Sequence, residues 1–163
     1  ILPIYEGTTA IQANDLVGRK TSRDGGQTAL AIAGQVQATE KALLAHGAAD
    51  AKAMALRLGA ARQAFVDVVQ FVADQSKASP NAVFAGSVPY LMLAGNLMAG
   101  WQMARAMLVA LEHLAGARDT AFMQAKITTA RFYADHILTR APGMRDAIVD
   151  GADSVNALAL DSY

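Results

Sequence analysis

The sequence predicts an all-α chain: an up-down-up-down four-helix bundle preceded by one short helix. Three observations carry that prediction. Alanine is abundant, and runs of alternating β-branched residues are almost absent. Apolar residues recur at spacings of three and four over long windows. Glycine and proline gather at a few positions, which divide the chain into segments of helical length.

The first helix is expected from Thr8 to about Arg19, with Thr8 or Thr9 as N-cap and Gly18 near its end. The polar run Lys20-Thr21-Ser22-Arg23-Asp24-Gly25-Gly26 reads as a linker. A second helix, Gln27 to His46, places Ile32, Val36, Thr39 and Leu43 on one stripe and stops at Gly47. The third is expected from Asp50, as N-cap, to about Lys77, with Met54, Leu58, Ala61, Phe65, Val68 and Val72 forming the seam of an antiparallel bundle. The fourth, Pro80 to about Ala115, carries no charge between Lys77 and Arg105, so it must be covered, and Pro89 is expected to kink it. The fifth, Arg118 to Arg140, aligns Met123, Ile127, Ala130, Ala134 and Ile137 before Pro142 breaks it. A short helix from Gly143 to about Val149 and a tail from Ser154 to Tyr163 follow. The long helices have short connections, and their apolar stripes have only one another to pack against.

Composition narrows the function. With 163 residues, 53% of them hydrophobic, the chain can build one real core. Lysine plus arginine equals aspartate plus glutamate at 14 each and aromatics are 6%, which excludes the basic field and stacking platforms of a nucleic-acid binder. The absence of cysteine excludes disulfides, thiolate catalysis and cysteine-type zinc sites, and fits a reducing cytoplasm. His46, His113 and His136 lie far apart and belong to no Glu-x-x-His pair, so no metal site is expected. The charge-free stretch from Ala78 to Ala104 exceeds the roughly 20 residues of a membrane span. Pro80, Asn81, Ser87, Pro89, Asn96 and Gln102 interrupt it, which leaves peripheral membrane association as the weaker alternative.

One motif names a chemistry. The segment Tyr5-Glu6-Gly7-Thr8-Thr9-Ala10-Ile11-Gln12-Ala13-Asn14-Asp15-Leu16-Val17-Gly18-Arg19-Lys20 resembles the catalytic segment of the acyl-CoA dehydrogenases, flavoenzymes that desaturate acyl-CoA thioesters. The resemblance implies FAD as cofactor, Glu6 as the base that removes the substrate α-proton, and transfer of the β-hydrogen as hydride to the flavin, giving a trans-2-enoyl-CoA. It also implies that a flavin ribityl hydroxyl and the backbone N–H of Glu6 acidify the substrate by hydrogen-bonding its thioester carbonyl. A base of this kind needs burial, because desolvation lifts a carboxylate pKa towards the working pH. Gly7 is implied to let the chain turn tightly beside the substrate, and Thr8 matches a position that touches FAD. Ile11 and Gln12 continue the match, whereas Ala10 departs from the glutamine that many medium-chain members carry against the flavin adenine. Taken alone, Glu6 would read as an acid favoured by a helix dipole; the surrounding motif changes that reading. Arg19, Lys20 and Arg23 have the chemistry to meet a phosphate of FAD or CoA, but basic residues at a helix end and in a polar linker read first as solvated.

This resemblance implies the C-terminal piece of a longer enzyme. Residues 1–26 would end its catalytic domain as a short catalytic-motif helix and linker, and residues 27–163 would form a separate helical bundle. The length beyond Glu6, with Ala130-Arg131-Phe132-Tyr133-Ala134-Asp135-His136 and Gly151-Ala152-Asp153-Ser154-Val155, is similar to the bacterial subclass with an additional C-terminal helical domain, which acts on long-chain acyl-CoA or 3-methylthiopropionyl-CoA. The partners implied are acyl-CoA, electron-transfer flavoprotein and further copies in a homo-oligomer. The alternative is a non-catalytic helical module for interaction or oligomerisation.

Overall fold

A computed structural model of the chain describes residues 7–155 and 157–162; Glu6 lies outside the described residues. Helix α1 (Gly7–Asp15) runs into a π-helical turn (Leu16–Thr21) and a 3-10 turn (Ser22–Asp24). Then come α2 (Gln27–His46), α3 (Ala49–Gln75), α4 (Pro80–Ala85), α5 (Ser87–Ala115) and α6 (Thr120–His136). A 3-10 turn (Leu138–Arg140), α7 (Ala141–Val149), α8 (Ala152–Val155) and a last 3-10 turn (Leu160–Ser162) follow. No strand occurs among the described residues.

The four long helices α2, α3, α5 and α6 form the expected up-down-up-down bundle. α3 and α5 pack on each other at the centre, and each also touches both α2 and α6. The side-chain ties fix the directions. Arg131 of α6 pairs with Asp50 of α3 at 3.1 Å, and Asp135, one turn on, pairs with Arg57 at 3.8 Å, so α3 and α6 run the same way. The two-residue turn Gly47-Ala48 folds α2 back against α3, with Gly47 in the left-handed conformation (φ 79°) that glycine adopts without strain. Between that pair, Arg62 Nε donates to Glu40 Oε1 at 2.6 Å, both side chains mostly out of water.

The core follows the sequence periodicity closely. Met54, Leu58, Ala61, Phe65, Val68 and Val72 are all buried, as are Tyr90, Leu93, Leu97, Gly100, Ala104 and Met107 along α5. In α6 Ile127, Ala130 and Ala134 are buried, while Met123 and Ile137 are half-buried at the ends of the stripe. In α2 Val36 and Leu43 are buried but Ile32 and Thr39 are only half-buried. Along α5 Met92 is exposed, Met98 and Met103 are half-buried and Met107 is buried.

Several expected boundaries shift, each for a local reason. Thr8 and Thr9 are helical residues of α1 rather than caps, and the α-helix gives way at Asp15, not Arg19. The expected linker from Lys20 is itself helical, because burial of Val17 and Thr21 winds it onto the bundle. Ala48 (φ −60°, ψ 148°) caps α3; Asp50 sits in the first turn, where its carboxylate meets Arg131 instead. α3 ends at Gln75 rather than Lys77. The break in the fourth segment falls at Gly86, not Pro89. Proline at the third position of α5 removes no intrahelical hydrogen bond, whereas Gly86 is pressed so closely by Ile148 of α7 that a Cβ there would lie 2.7 Å from Ile148 Cγ2. Pro142 does not end α6. That helix stops at His136, and Pro142 sits in the first turn of α7, where its fixed φ suits a helix start.

Candidate functional site

The motif helix α1 has two faces. Ala13 is fully buried against the bundle, followed one turn later by Val17. Thr8, Ile11 and Gln12 lie on the other side and are exposed, Ile11 by 66%. The helical repeat explains the separation, since 8, 11 and 12 fall within one arc and 13 and 17 lie roughly opposite. Every described residue of the motif singled out for chemistry is therefore turned away from this chain's own core. Gly7 is the first described residue of α1 and is exposed, and a Cβ built there meets no described atom within 4 Å. Glu6, the expected base, is outside the described residues.

Beyond α1 the π-helical turn carries the basic cluster. Arg19 Nη1 lies 3.1 Å from Asp15 Oδ1, and Lys20 Nζ lies 3.9 Å from Asp15 Oδ2. Both cations, like Arg23, are exposed, as the solvated reading expects. Sequence reasoning missed what they surround. They border a cleft of about 610 Å³ between this turn and the bundle, floored by Ile32, Phe65, Ala94 and Met98. Nothing in the local sequence of residues 16–28 announces it, because the floor comes from three helices.

Two polar links hold the cleft wall in place. Thr21, 2% exposed, shares a 2.9 Å hydrogen bond with the Tyr90 hydroxyl of α5. Burial raises the Tyr90 phenol above its ordinary pKa, and the Thr21 hydrogen bond partly offsets that. At the start of α2, Asp24 accepts hydrogen bonds from the Thr28 hydroxyl (2.6 Å), the Thr28 N–H (3.0 Å) and the Gly26 N–H (3.0 Å). The Thr28 hydroxyl, followed by the Thr28 N–H, holds the Asp24 carboxyl below its ordinary pKa. Gly25 (φ 62°) and Gly26 (φ 80°) supply the left-handed turn that brings Asp24 over the helix end. Val69 Cγ1 would lie 2.6 Å from a Cβ at Gly26, so both backbone and packing require glycine there.

Among the described residues no group of three or more histidines and carboxylates could hold a metal ion. No helix among them is long and apolar enough to cross a membrane.

Residues 32–159 match the protein family described as acetyl-CoA dehydrogenase C-terminal like. The chain is 48% identical over 160 residues to the 3-methylmercaptopropionyl-CoA dehydrogenase of Ruegeria pomeroyi, covering 98% of this chain and 27% of that protein. It is 36% identical over 160 residues to the broad-specificity linear acyl-CoA dehydrogenase FadE5 of Mycobacterium tuberculosis, covering 89% of this chain and 25% of that protein. The chain thus spans about a quarter of the length of the curated relatives it matches.

Proposed function

The chain belongs to the acyl-CoA dehydrogenase C-terminal-like family, and from that premise we propose that it is the C-terminal part of an FAD-dependent enzyme that oxidises acyl-CoA to trans-2-enoyl-CoA. In this reading residues 1–26 end the catalytic domain and residues 27–163 are the bundle that supports it. The observation that carries the proposal is the orientation of α1. Thr8, Ile11 and Gln12 are exposed on its outer face while Ala13 and Val17 anchor the inner one, an arrangement suited to a motif that completes a site on another part of a longer polypeptide.

The residues present fit one edge of a flavin site. Thr8 lies on the exposed face of α1, and Gln12 stands one turn further on that face. FAD, when bound, supplies the acceptor for the β-hydride. Glu6 would remove the α-proton, and its backbone N–H would hydrogen-bond the thioester carbonyl, stabilising the negative charge that develops there. Gly7, without a side chain, leaves room for substrate next to that carbonyl. Electron-transfer flavoprotein is the proposed electron acceptor, a second copy the proposed oligomeric partner, and the cytoplasm the proposed location.

The test is Glu6→Gln in the longer enzyme. The amide keeps the shape and the backbone N–H but cannot accept the α-proton, so flavin content and acyl-CoA binding should persist while substrate no longer bleaches the flavin absorbance. Glu6→Asp should be intermediate, since retreat of the carboxylate by about 1 Å can cost about a hundredfold. Near-normal turnover of Glu6→Gln would place the base elsewhere and remove the main support for the reading.

A further inference from the structure

We propose that the cleft between the π-helical turn and the bundle binds an amphipathic monoanion, with an apolar tail on its floor and a carboxylate or phosphate-type head at the basic rim. At about 610 Å³ the cleft lies within the roughly 300–1,000 Å³ usual for small-molecule sites. Its position is also typical of such sites. One wall is the turn after α1 and the floor is drawn from α2, α3 and α5, so the cleft lies between helices of the bundle.

Two observations set the ligand chemistry. Ile32, Phe65, Ala94 and Met98 offer an apolar floor, and the polar groups nearest to it are already engaged with each other: Thr21 bonds Tyr90, and Asp24 takes three donors from Gly26 and Thr28. The floor side chains themselves carry no N–H or O–H donor or oxygen acceptor to recognise a polar body, so an apolar tail is the part of a ligand that suits them. Among the described residues, the rim carries Arg19, Lys20 and Arg23 against Asp24, and Asp15 just outside it pairs with Arg19 and Lys20, which leaves one positive charge in excess on a chain that is neutral overall. Arg19 and Lys20 share Asp15, whereas Arg23 has no carboxylate within ion-pair distance among the described residues. That single excess charge fits a monoanionic head.

The proposal is independent of Glu6, because binding here needs neither flavin nor turnover. The test is calorimetric titration of the chain with octanoate, decanoate, decyl phosphate and decanol below their micellar concentrations. Decanoate should bind saturably at one site, about fourfold tighter per added methylene than octanoate. Decanol should bind more weakly, and comparison of decanoate with decyl phosphate identifies the preferred head. Lys20→Ala with Arg23→Ala should weaken decanoate several-fold and leave decanol unchanged, with the melting curve unaltered because both side chains are exposed. Ala94→Leu should fill the cleft and abolish binding of both. Absence of saturable binding, equal affinity for decanoate and decanol, or indifference to the double rim variant would each overturn the proposal. So would loss of decanoate binding at this cleft in the longer enzyme, which would assign the cleft to that enzyme's own polypeptide.

Discussion

Leu138 lies over the backbone of Gly100: a Cβ at Gly100 would sit 2.6 Å from Leu138 Cδ2 and 3.0 Å from Cδ1. Both residues are buried, and this contact brings the turn after α6 against the middle of α5. Gly100→Ala should therefore destabilise the chain by about 1–3 kcal/mol through overpacking. Gly95, on the same helix, is exposed and has nothing within 4 Å of its added Cβ. Gly95→Ala should stabilise by about 0.5–1 kcal/mol from helix propensity alone. Denaturant melts of the two variants, moving in opposite directions, check the packing of α5.

The Thr21–Tyr90 hydrogen bond predicts a coupling. Tyr90→Phe leaves a buried threonine hydroxyl without that partner and should cost about 1–2 kcal/mol, whereas Tyr90→Phe combined with Thr21→Val should cost less than the two single changes added together. The raised phenol pKa adds a pH signature. The folded state holds the Tyr90 proton more tightly than the unfolded state does, so its contribution is intact below about pH 10 and is lost as pH rises through the higher folded value. Tyr90→Phe should flatten the alkaline limb of the stability profile; an unchanged limb would contradict this.

Asp24 works at the other end of the scale. Its carboxyl is held low by the Thr28 hydroxyl and N–H, so its contribution is present above the ordinary carboxylate pKa and is lost as pH falls through the depressed folded value. Asp24→Asn should blunt the acid-induced loss of stability, and amide exchange at the first turn of α2 should speed up at neutral pH. Exchange unchanged across Gly26 to Leu30 would show that the two glycines alone fix this helix start.

Phe65 is 4% exposed, and its ring centroid lies 6.0 Å from that of Tyr90. Phe65→Ala should cost about 3–5 kcal/mol by chemical denaturation, since α3 is packed on several sides and cannot collapse into the space. A cost below about 1 kcal/mol would mean that the α3 seam does not face the bundle as described.

The long helices were legible because their apolar stripes are long and regular; the α3 seam from Met54 to Val72 is buried without exception. Boundaries were less legible wherever a distant residue decided them. The break at Gly86 depends on Ile148, and the role of Asp50 depends on Arg131, 81 positions away. Pro142 was misread because proline stops one helix and starts another with equal ease, and only the 3-10 turn before it tells which. At the candidate site the motif residues were visible by their order alone. The cleft beside them was not, since its floor joins Ile32, Phe65 and Ala94 from three helices, and no window of sequence contains all three.

The chain has one tryptophan, and its indole Nε1 donates to the Thr39 hydroxyl at 2.7 Å while the Arg105 guanidinium lies 5.7 Å from the ring centroid. Trp101 is on α5 and Thr39 on α2, so the intrinsic fluorophore sits on the seam between these helices. Its emission is consequently a private reporter of α2 docking. A state in which α2 has swung away while α5 and α6 remain paired would shift the emission to the red with most of the far-ultraviolet helical signal preserved, and the two spectra together would separate lifting of one helix from global unfolding.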